Sequence, residues 1–279
     1  MRSKLFVPCS RPEFFGKALA SAADALSFDL EDSVPADGKA AARERLAAFL
    51  GSDAMRQTAK QIIVRVNDPA GPDFAADVEA LRDRRIGMIN LPKLEEAATV
   101  IAAANRITAA LDRPVDLLVN IETPRALIRA AEIAGAHPHV AGLQVGLNDL
   151  FATLGADRHD PRNVHAALWQ IRLGAAGAGV FACDGAWPDL QDEAGFRGEA
   201  EMARALGYLG KSCIHPSQIA AANTIFGLDR DLEAARRLVA AARAAALEGR
   251  GAFLFEGRMV DRPMIAQAEA LLAGMGDDA

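Results

Sequence analysis

The sequence predicts an α/β chain folded as a closed (β/α)8 barrel with a helical and hairpin extension at its C-terminal end. Three observations carry that expectation. Short apolar, β-branched runs recur about eight times along the chain, the signature of strands buried on both faces. Alanine-rich segments with helical spacing lie between them, so strand and helix alternate as in parallel βαβ units. An open doubly wound sheet would normally carry a glycine-rich phosphate turn after an early strand, and the chain contains neither GxGxxG nor GxxxxGKS/T.

In chain order, the strand-like runs are Lys4–Val7, Ala25–Leu30, Ile62–Val66, Met88–Leu91, Leu117–Ile121, Ala141–Val145, Val180–Ala182 and Ser212–Ile214. Helical spacing is clear in Lys39–Leu50, where Ala42, Leu46, Phe49 and Leu50 share a face. The barrel is then complete, and residues 1–225 form the expected catalytic domain. Residues 226–279 read as an extension, either a lid or an oligomerisation arm. Within it Asp229–Leu247 is a charged helix with Leu232, Ala235, Leu238, Val239 and Ala242 on one stripe. Ala252–Phe255 and Met259–Pro263 flank Glu256-Gly257-Arg258, and a terminal helix runs to about Gly274. There is no internal repeat and no low-complexity linker.

Composition narrows the function. At 279 residues, 51% hydrophobic and 24% charged, the chain can bury a barrel-sized core and is not of disordered, collagen-like or disulfide-scaffold type. Its 31 Lys and Arg against 37 Asp and Glu give a net charge of −6, which argues against nucleic acid or an anionic membrane as partner. Cys9, Cys183 and Cys213 are scattered and lack a CxxC, so they read as reduced, buried thiols of a cytoplasmic protein. The basic start is followed only by Leu5-Phe6-Val7 before Pro8, too short for a signal-peptide core, and no run approaches the ~18 apolar residues of a membrane span.

Carboxylates and cations interrupt the strands at their C-terminal ends, where a parallel barrel builds its active site. The relevant stretches are Asp29-Leu30-Glu31-Asp32, Arg65 within Val64–Asn67, Leu91-Pro92-Lys93, Ile121-Glu122-Thr123, Asn148-Asp149, Cys183-Asp184 and Ile214-His215-Pro216. An acid abutting a buried run is costly unless paired or metal-bound. Glu122 and Asp149, from adjacent strand ends, suit Mg²⁺, which takes one or two protein carboxylates and keeps waters. The alternative is that Asp149 caps a helix starting at Leu150 while Glu122 pairs with Arg125. Arg65 reads as an anion ligand or as the partner of Glu31 or Asp32 in an ion pair. His215 reads equally as a satisfied structural histidine, Cys9 lacks the basic neighbour of a nucleophile, and Lys211 precedes its strand and so sits at the wrong end for a Schiff base.

Leu5–Pro12, Asp29–Asp32, Val64–Asn67, Leu91–Lys93, Ile121–Thr123, Gly146–Leu150, Cys213–Gln218 and Gly257–Pro263 occur in one order. Together they resemble the citrate lyase β-subunit-like family, the acyl-CoA lyase branch of the HpcH/HpaI aldolase superfamily, with malyl-CoA and citramalyl-CoA lyases as relatives. The resemblance covers nearly the whole chain. It implies a (β/α)8 TIM barrel with a C-terminal extension, assembled as a homotrimer or dimer of trimers. It also implies a carbon–carbon lyase using Mg²⁺, or Mn²⁺ in its place, on a coenzyme A thioester. By the same resemblance Glu122 and Asp149 are metal ligands, Arg65 binds the substrate oxyanion, and Glu31 and Asp32 surround the metal waters. Asp261 is the acid of the C-terminal segment that reaches a neighbouring subunit. Arg11 and Lys17 contact CoA phosphates, and Ile214, His215 and Pro216 lie near its adenine.

The expected reaction cleaves or forms malyl-, citramalyl- or citryl-CoA, giving acetyl-CoA and a 2-oxo acid. The alternatives are a CoA-independent 2-oxo acid aldolase, a citrate lyase β subunit acting on a carrier-protein thioester, and a non-catalytic acyl-CoA-binding paralogue. Three departures stand out. Cys9 replaces the family's usual glycine, Asn148 stands where a glutamate often precedes the metal-binding aspartate, and Ala186-Trp187 after Asp184-Gly185 is bulkier than the common pattern.

Overall fold

Eight parallel strands close on themselves in the computed structural model, which describes residues 1–227, 229–247, 249 and 251–273. They are β1 (Ser3–Pro8), β2 (Ala25–Asp29), β3 (Gln61–Arg65), β4 (Met88–Leu91), β5 (Asp116–Ile121), β6 (Val140–Val145), β7 (Phe181–Asp184) and β8 (Gly210–Cys213). Each pairs with the next, and β8 returns to β1 with Lys4 opposite Ser212. The strand boundaries lie within a residue or two of those expected from the hydrophobic runs. At β8 the difference matters. Lys211 lies inside the strand rather than before it, fully buried, with its Nζ 2.7 Å from both Asp184 and Glu199 carboxylates. A hydrophobicity pattern cannot find such a residue, because the partners that offset its burial come from β7 and from the helix Glu193–Ala205.

Strand side chains alternate between two cores. Outward residues such as Leu26, Phe28, Val64, Ile89, Val119 and Leu143 join the surrounding helices in the main hydrophobic cluster. Lys39–Leu50 packs Ala42, Leu46 and Leu50 into it. Inward residues start apolar and turn polar. Ala25, Ile63 and Leu118, with Met88 and Phe181, form a separate cluster that floors the barrel. Gly142 is required there, because a Cβ would lie 2.4 Å from the Phe181 ring. Two residues further along the same faces come Ser27, Arg65, Asn90, Asn120 and Cys183, and beyond them Glu122. The polar residues therefore collect at the C-terminal mouth.

The chain divides into two compact units, Met1–Phe226 and Gly227–Ala279. In the second, the helix Asp229–Leu247 contributes Ala235 and Val239, and the helix Arg262–Ala273 contributes Ala268, to a small core with Leu238 and Leu272. Between them an antiparallel hairpin, β9 (Phe253–Phe255) and β10 (Arg258–Val260), turns at Glu256 and Gly257, both with positive φ. The expected helix end near Gly274 lies outside the described residues. Cys9, Cys183 and Cys213 are buried and free. Among the described residues no helix is long and apolar enough to cross a membrane.

Candidate active site

The polar mouth encloses a cavity of about 450 Å³, lined by side chains from β1, β2, β3, β5 and β6 and by the loops that follow. Phe6, Asp29, Arg65, Asn120 and Gln144 project from the strands, and Glu122 follows β5 directly. The stretch Gly146–Asp149 completes one wall, with Ala186 and Ile214 beside it.

Arg65 is the centre of an ion-pair cluster. Its Nε and Nη2 donate to the two Asp29 oxygens at 2.7 and 2.8 Å, the bidentate geometry that guanidinium and carboxylate favour. Its Nη1 lies 3.0 Å from Glu31 and 3.5 Å from Asp32. Burial would raise the Asp29 carboxyl, but the Arg65 guanidinium outweighs it and holds the group below its ordinary range. Glu31 goes the other way: burial pushes it up to about 7, with Asp32 adding repulsion against the pull of Arg65 and Lys93. The two acids in one cluster thus differ in how readily each holds a proton.

Lys93 joins this cluster to the next. It has φ 58°, a left-handed conformation rarely adopted by a residue with a side chain. From that turn its ammonium pairs with Glu31, and its backbone N–H donates to Glu122 Oε1 at 2.7 Å. Asn120 Nδ2 donates to the other Glu122 oxygen at 3.0 Å. Glu122 is buried, and burial raises its carboxyl, with the nearby Asp149 charge adding to the rise. Gly146 makes the arrangement feasible: a Cβ there would sit 2.4 Å from Glu122 Cβ and 3.0 Å from its Oε2. Asp149 lies in the first turn of the helix Leu147–Leu154 and caps nothing, since Gly146 is the N-cap. Arg125 pairs with Glu95 and Glu96, not with Glu122. Neither the Asp149 cap nor the Glu122–Arg125 pair is formed.

These donors fit a hard divalent cation. Glu122 and Asp149 offer carboxylate oxygens to one cavity and repel each other across it. Among the described residues no cluster of three or more His, Cys, Asp or Glu side chains could hold a metal. Two carboxylates with water or substrate completing the shell is the mode of Mg²⁺ and not of a fully protein-ligated zinc site.

Residues 2–216 match the family model described as HpcH/HpaI aldolase/citrate lyase. The chain belongs to this family. A citrate lyase subunit beta-like protein of Deinococcus radiodurans is 40% identical over 98% of the chain and 96% of its own length. An L-malyl-CoA/beta-methylmalyl-CoA lyase of Cereibacter sphaeroides is 34% identical, covering 97% and 93%. The crystal structure of protein CitE from Mycobacterium tuberculosis, in complex with magnesium, acetoacetate and coenzyme A, superposes with a TM-score of 0.80 at 37% identity, covering 99% and 100%.

In this member of the HpcH/HpaI family the fold brings Arg65, Glu31, Asp32, Glu122 and Asp149 together, with Ile214 on the cavity wall. Arg11, Lys17 and His215, also expected at the site, do not line that cavity. Arg11 and Lys17 follow β1, exposed, with their cations 4.8 and 5.9 Å from the Phe14 ring, and Arg11 pairs with Glu13. His215 is exposed, and its Nδ1 accepts the Ser217 N–H at 3.2 Å as the cap of a short turn that starts at Pro216. Asp261 belongs to the second unit, exposed, its Oδ1 3.4 Å from the Met264 N–H. Cys9 is wholly buried, and burial raises its thiol far above its ordinary range, which removes it as a nucleophile. Asp29, Lys93, Asn120 and Phe6 were not singled out as site residues by sequence reasoning. Asp29 and Lys93 did stand at charged strand ends, the signal that could have found them.

Proposed function

We propose that the chain is a Mg²⁺-dependent carbon–carbon lyase that cleaves, or in reverse forms, a 3-hydroxyacyl-CoA thioester such as malyl-, citramalyl- or citryl-CoA. The observation that carries this reading is the facing of Glu122 and Asp149 across one cavity that also holds Arg65. The malyl-CoA lyase relative and the neighbour solved with magnesium and coenzyme A support it.

Mg²⁺ held by Glu122 and Asp149 would supply Lewis-acid polarisation of a substrate hydroxyl and an adjacent carboxylate. The chain's own groups do the rest. The substrate hydroxyl loses its proton, the bond between its carbon and the thioester α-carbon breaks, and a 2-oxo acid leaves with the enolate of the acyl thioester. Glu31, with its carboxyl near neutrality, is suited to exchange the hydroxyl proton, and Asp32 orders water beside it. Arg65, fixed by Asp29, holds the thioester oxygen as charge develops on it, a role whose loss typically costs ~10²–10³ in rate. Asp261, carried on the extension of a neighbouring copy, returns a proton to the enolate carbon, which makes the active form a homo-oligomer. Arg11 and Lys17 with Ile214, His215 and Pro216 hold the CoA phosphates and adenine. Three free buried thiols fit a cytoplasmic setting.

The test is to incubate purified protein with malyl-, citramalyl- and citryl-CoA, with Mg²⁺ or with EDTA, and to follow 2-oxo acid release. EDTA-sensitive cleavage of one thioester is expected and names the substrate. Turnover only of a free acid or of a carrier-protein thioester, or none at all, would overturn it.

A further inference from the structure

Lys4 is fully buried, and among the described residues its Nζ has no hydrogen-bond partner. A buried ammonium in that state lowers stability, so its presence calls for a reason. The mechanism above makes no use of it. Lys4 shares a face of β1 with Phe6, two residues on, and Phe6 lines the cavity. The Lys4 ammonium lies 4.2 Å from the centroid of the Phe6 ring, and the Arg65 guanidinium carbon lies 5.2 Å from that same centroid. Both cations are therefore held by one aromatic ring, and that ring borders the cavity.

The charges around Lys4 sharpen the point. Burial lowers its pKa to about 8, with Asp29 pulling up and Arg65 pushing down, which leaves it protonated at neutral pH. Arg65 has Nε and Nη2 committed to Asp29 and Nη1 beside Glu31. An arginine held by two carboxylates has little net charge left for a substrate oxygen. A second cation on the Asp29 side opposes that neutralisation, and its hold on Phe6 fixes the surface against which the guanidinium rests.

We propose that Lys4 is a positioning residue: through the Phe6 ring and against the Asp29 charge, it orients Arg65 and keeps its positive potential directed into the cavity. The inference rests on the assignment of Arg65 as the group that holds the thioester oxygen. It predicts that an unsatisfied buried charge is retained at a cost to stability for the sake of the site.

Lys4→Met and Lys4→Leu test it, the second guarding against a shape problem peculiar to the first. The expected result is a melting temperature at or above that of wild type together with a kcat about thirtyfold lower, the size of one desolvated cation–π contact, and a KM within about twofold. A crystal structure of Lys4→Met is expected to show the Phe6 ring rotated and the Arg65 guanidinium displaced. An unchanged kcat, or a lower kcat accompanied by a lower melting temperature in both variants, would overturn the proposal. So would Phe6 and Arg65 standing where they are now. Should wild type turn over no thioester, the proposed reaction fails, and the crystallographic comparison alone decides the role of Lys4.

Discussion

Replacing Gly146 by alanine tests the candidate metal site with a single methyl group. Gly146 has φ −115°, outside the left-handed region that favours glycine, so the effect of the substitution is read as steric. The added Cβ would stand 2.4 Å from Glu122 Cβ and 3.3 Å from its Cα. Ordinary carbon–carbon contact needs about 3.5–4.0 Å, so one of the two must retreat by more than 1 Å. Glu122 is the one that gives way, but Lys93 N–H and Asn120 Nδ2 hold its carboxylate from two sides, so moving it breaks or stretches those bonds. Overpacking of this kind costs ~1–3 kcal/mol of stability, and a ~1 Å misplacement of a catalytic constellation costs ~10²-fold in rate. Isothermal titration with Mg²⁺ and steady-state kinetics would be run on wild type and Gly146→Ala, with urea denaturation to measure stability. The expected outcome is a weaker Mg²⁺ affinity and a kcat/KM lower by about a hundredfold, in a protein still folded at 25 °C. If Mg²⁺ affinity and kcat/KM both stay within twofold while stability falls, the crowding is real but Glu122 does not hold the metal.

Other predictions follow from the same geometry. Glu122→Gln keeps an oxygen for the Lys93 N–H but sets its NH2 against the Asn120 Nδ2 donor and removes the charge, so the melting temperature without metal should fall modestly while the Mg²⁺-induced rise in it disappears; a preserved rise would acquit Glu122 as ligand. Lys211→Met leaves Asp184 and Glu199 buried without their shared cation and should cost ~3–5 kcal/mol in urea unfolding; a loss below ~1 kcal/mol would mean the pair is neutralised by protonation instead. Lys4 gives a pH signature whose sign is fixed. Its folded pKa of about 8 lies below its ordinary 10.5, so between those values the unfolded chain binds more protons and stability rises with pH, by ~3 kcal/mol in all. The stability gap by which Lys4→Met exceeds wild type should therefore shrink from pH 7.5 to pH 10; a constant gap refutes the assignment. Arg65, Asp29, Cys183 and Cys213 are the charged or titrating groups around it, and all four remain in the variant.

What the sequence made legible and what it hid divide along a physical line. The eight strands announce themselves because burial on both faces demands unbroken apolar runs, and Lys39–Leu50 announces itself through its spacing. Glu122 and Arg65 stood out because a charge inside or against such a run needs an explanation. Residues whose burial is justified only by a partner distant in sequence gave no such signal. Lys211 appeared to lie outside its strand because Asp184 and Glu199, which make it tolerable inside, are 27 and 12 residues away. Lys4 stands in the first strand-like run but gave no signal of its own, since its contact with Phe6 exists only once β1 extends and aims alternate side chains to one face. Lys93 stood at the end of a charged strand, but its left-handed turn, which lets one residue bind Glu31 by its side chain and Glu122 by its backbone, is a property of conformation and leaves no mark in composition. The groups that hold the site in place are thus harder to read than the groups that face the cavity. Their chemistry is ordinary until the fold sets it beside something charged. A catalytic carboxylate breaks the local pattern on its own, whereas the lysine or glycine that positions it does so only in three dimensions.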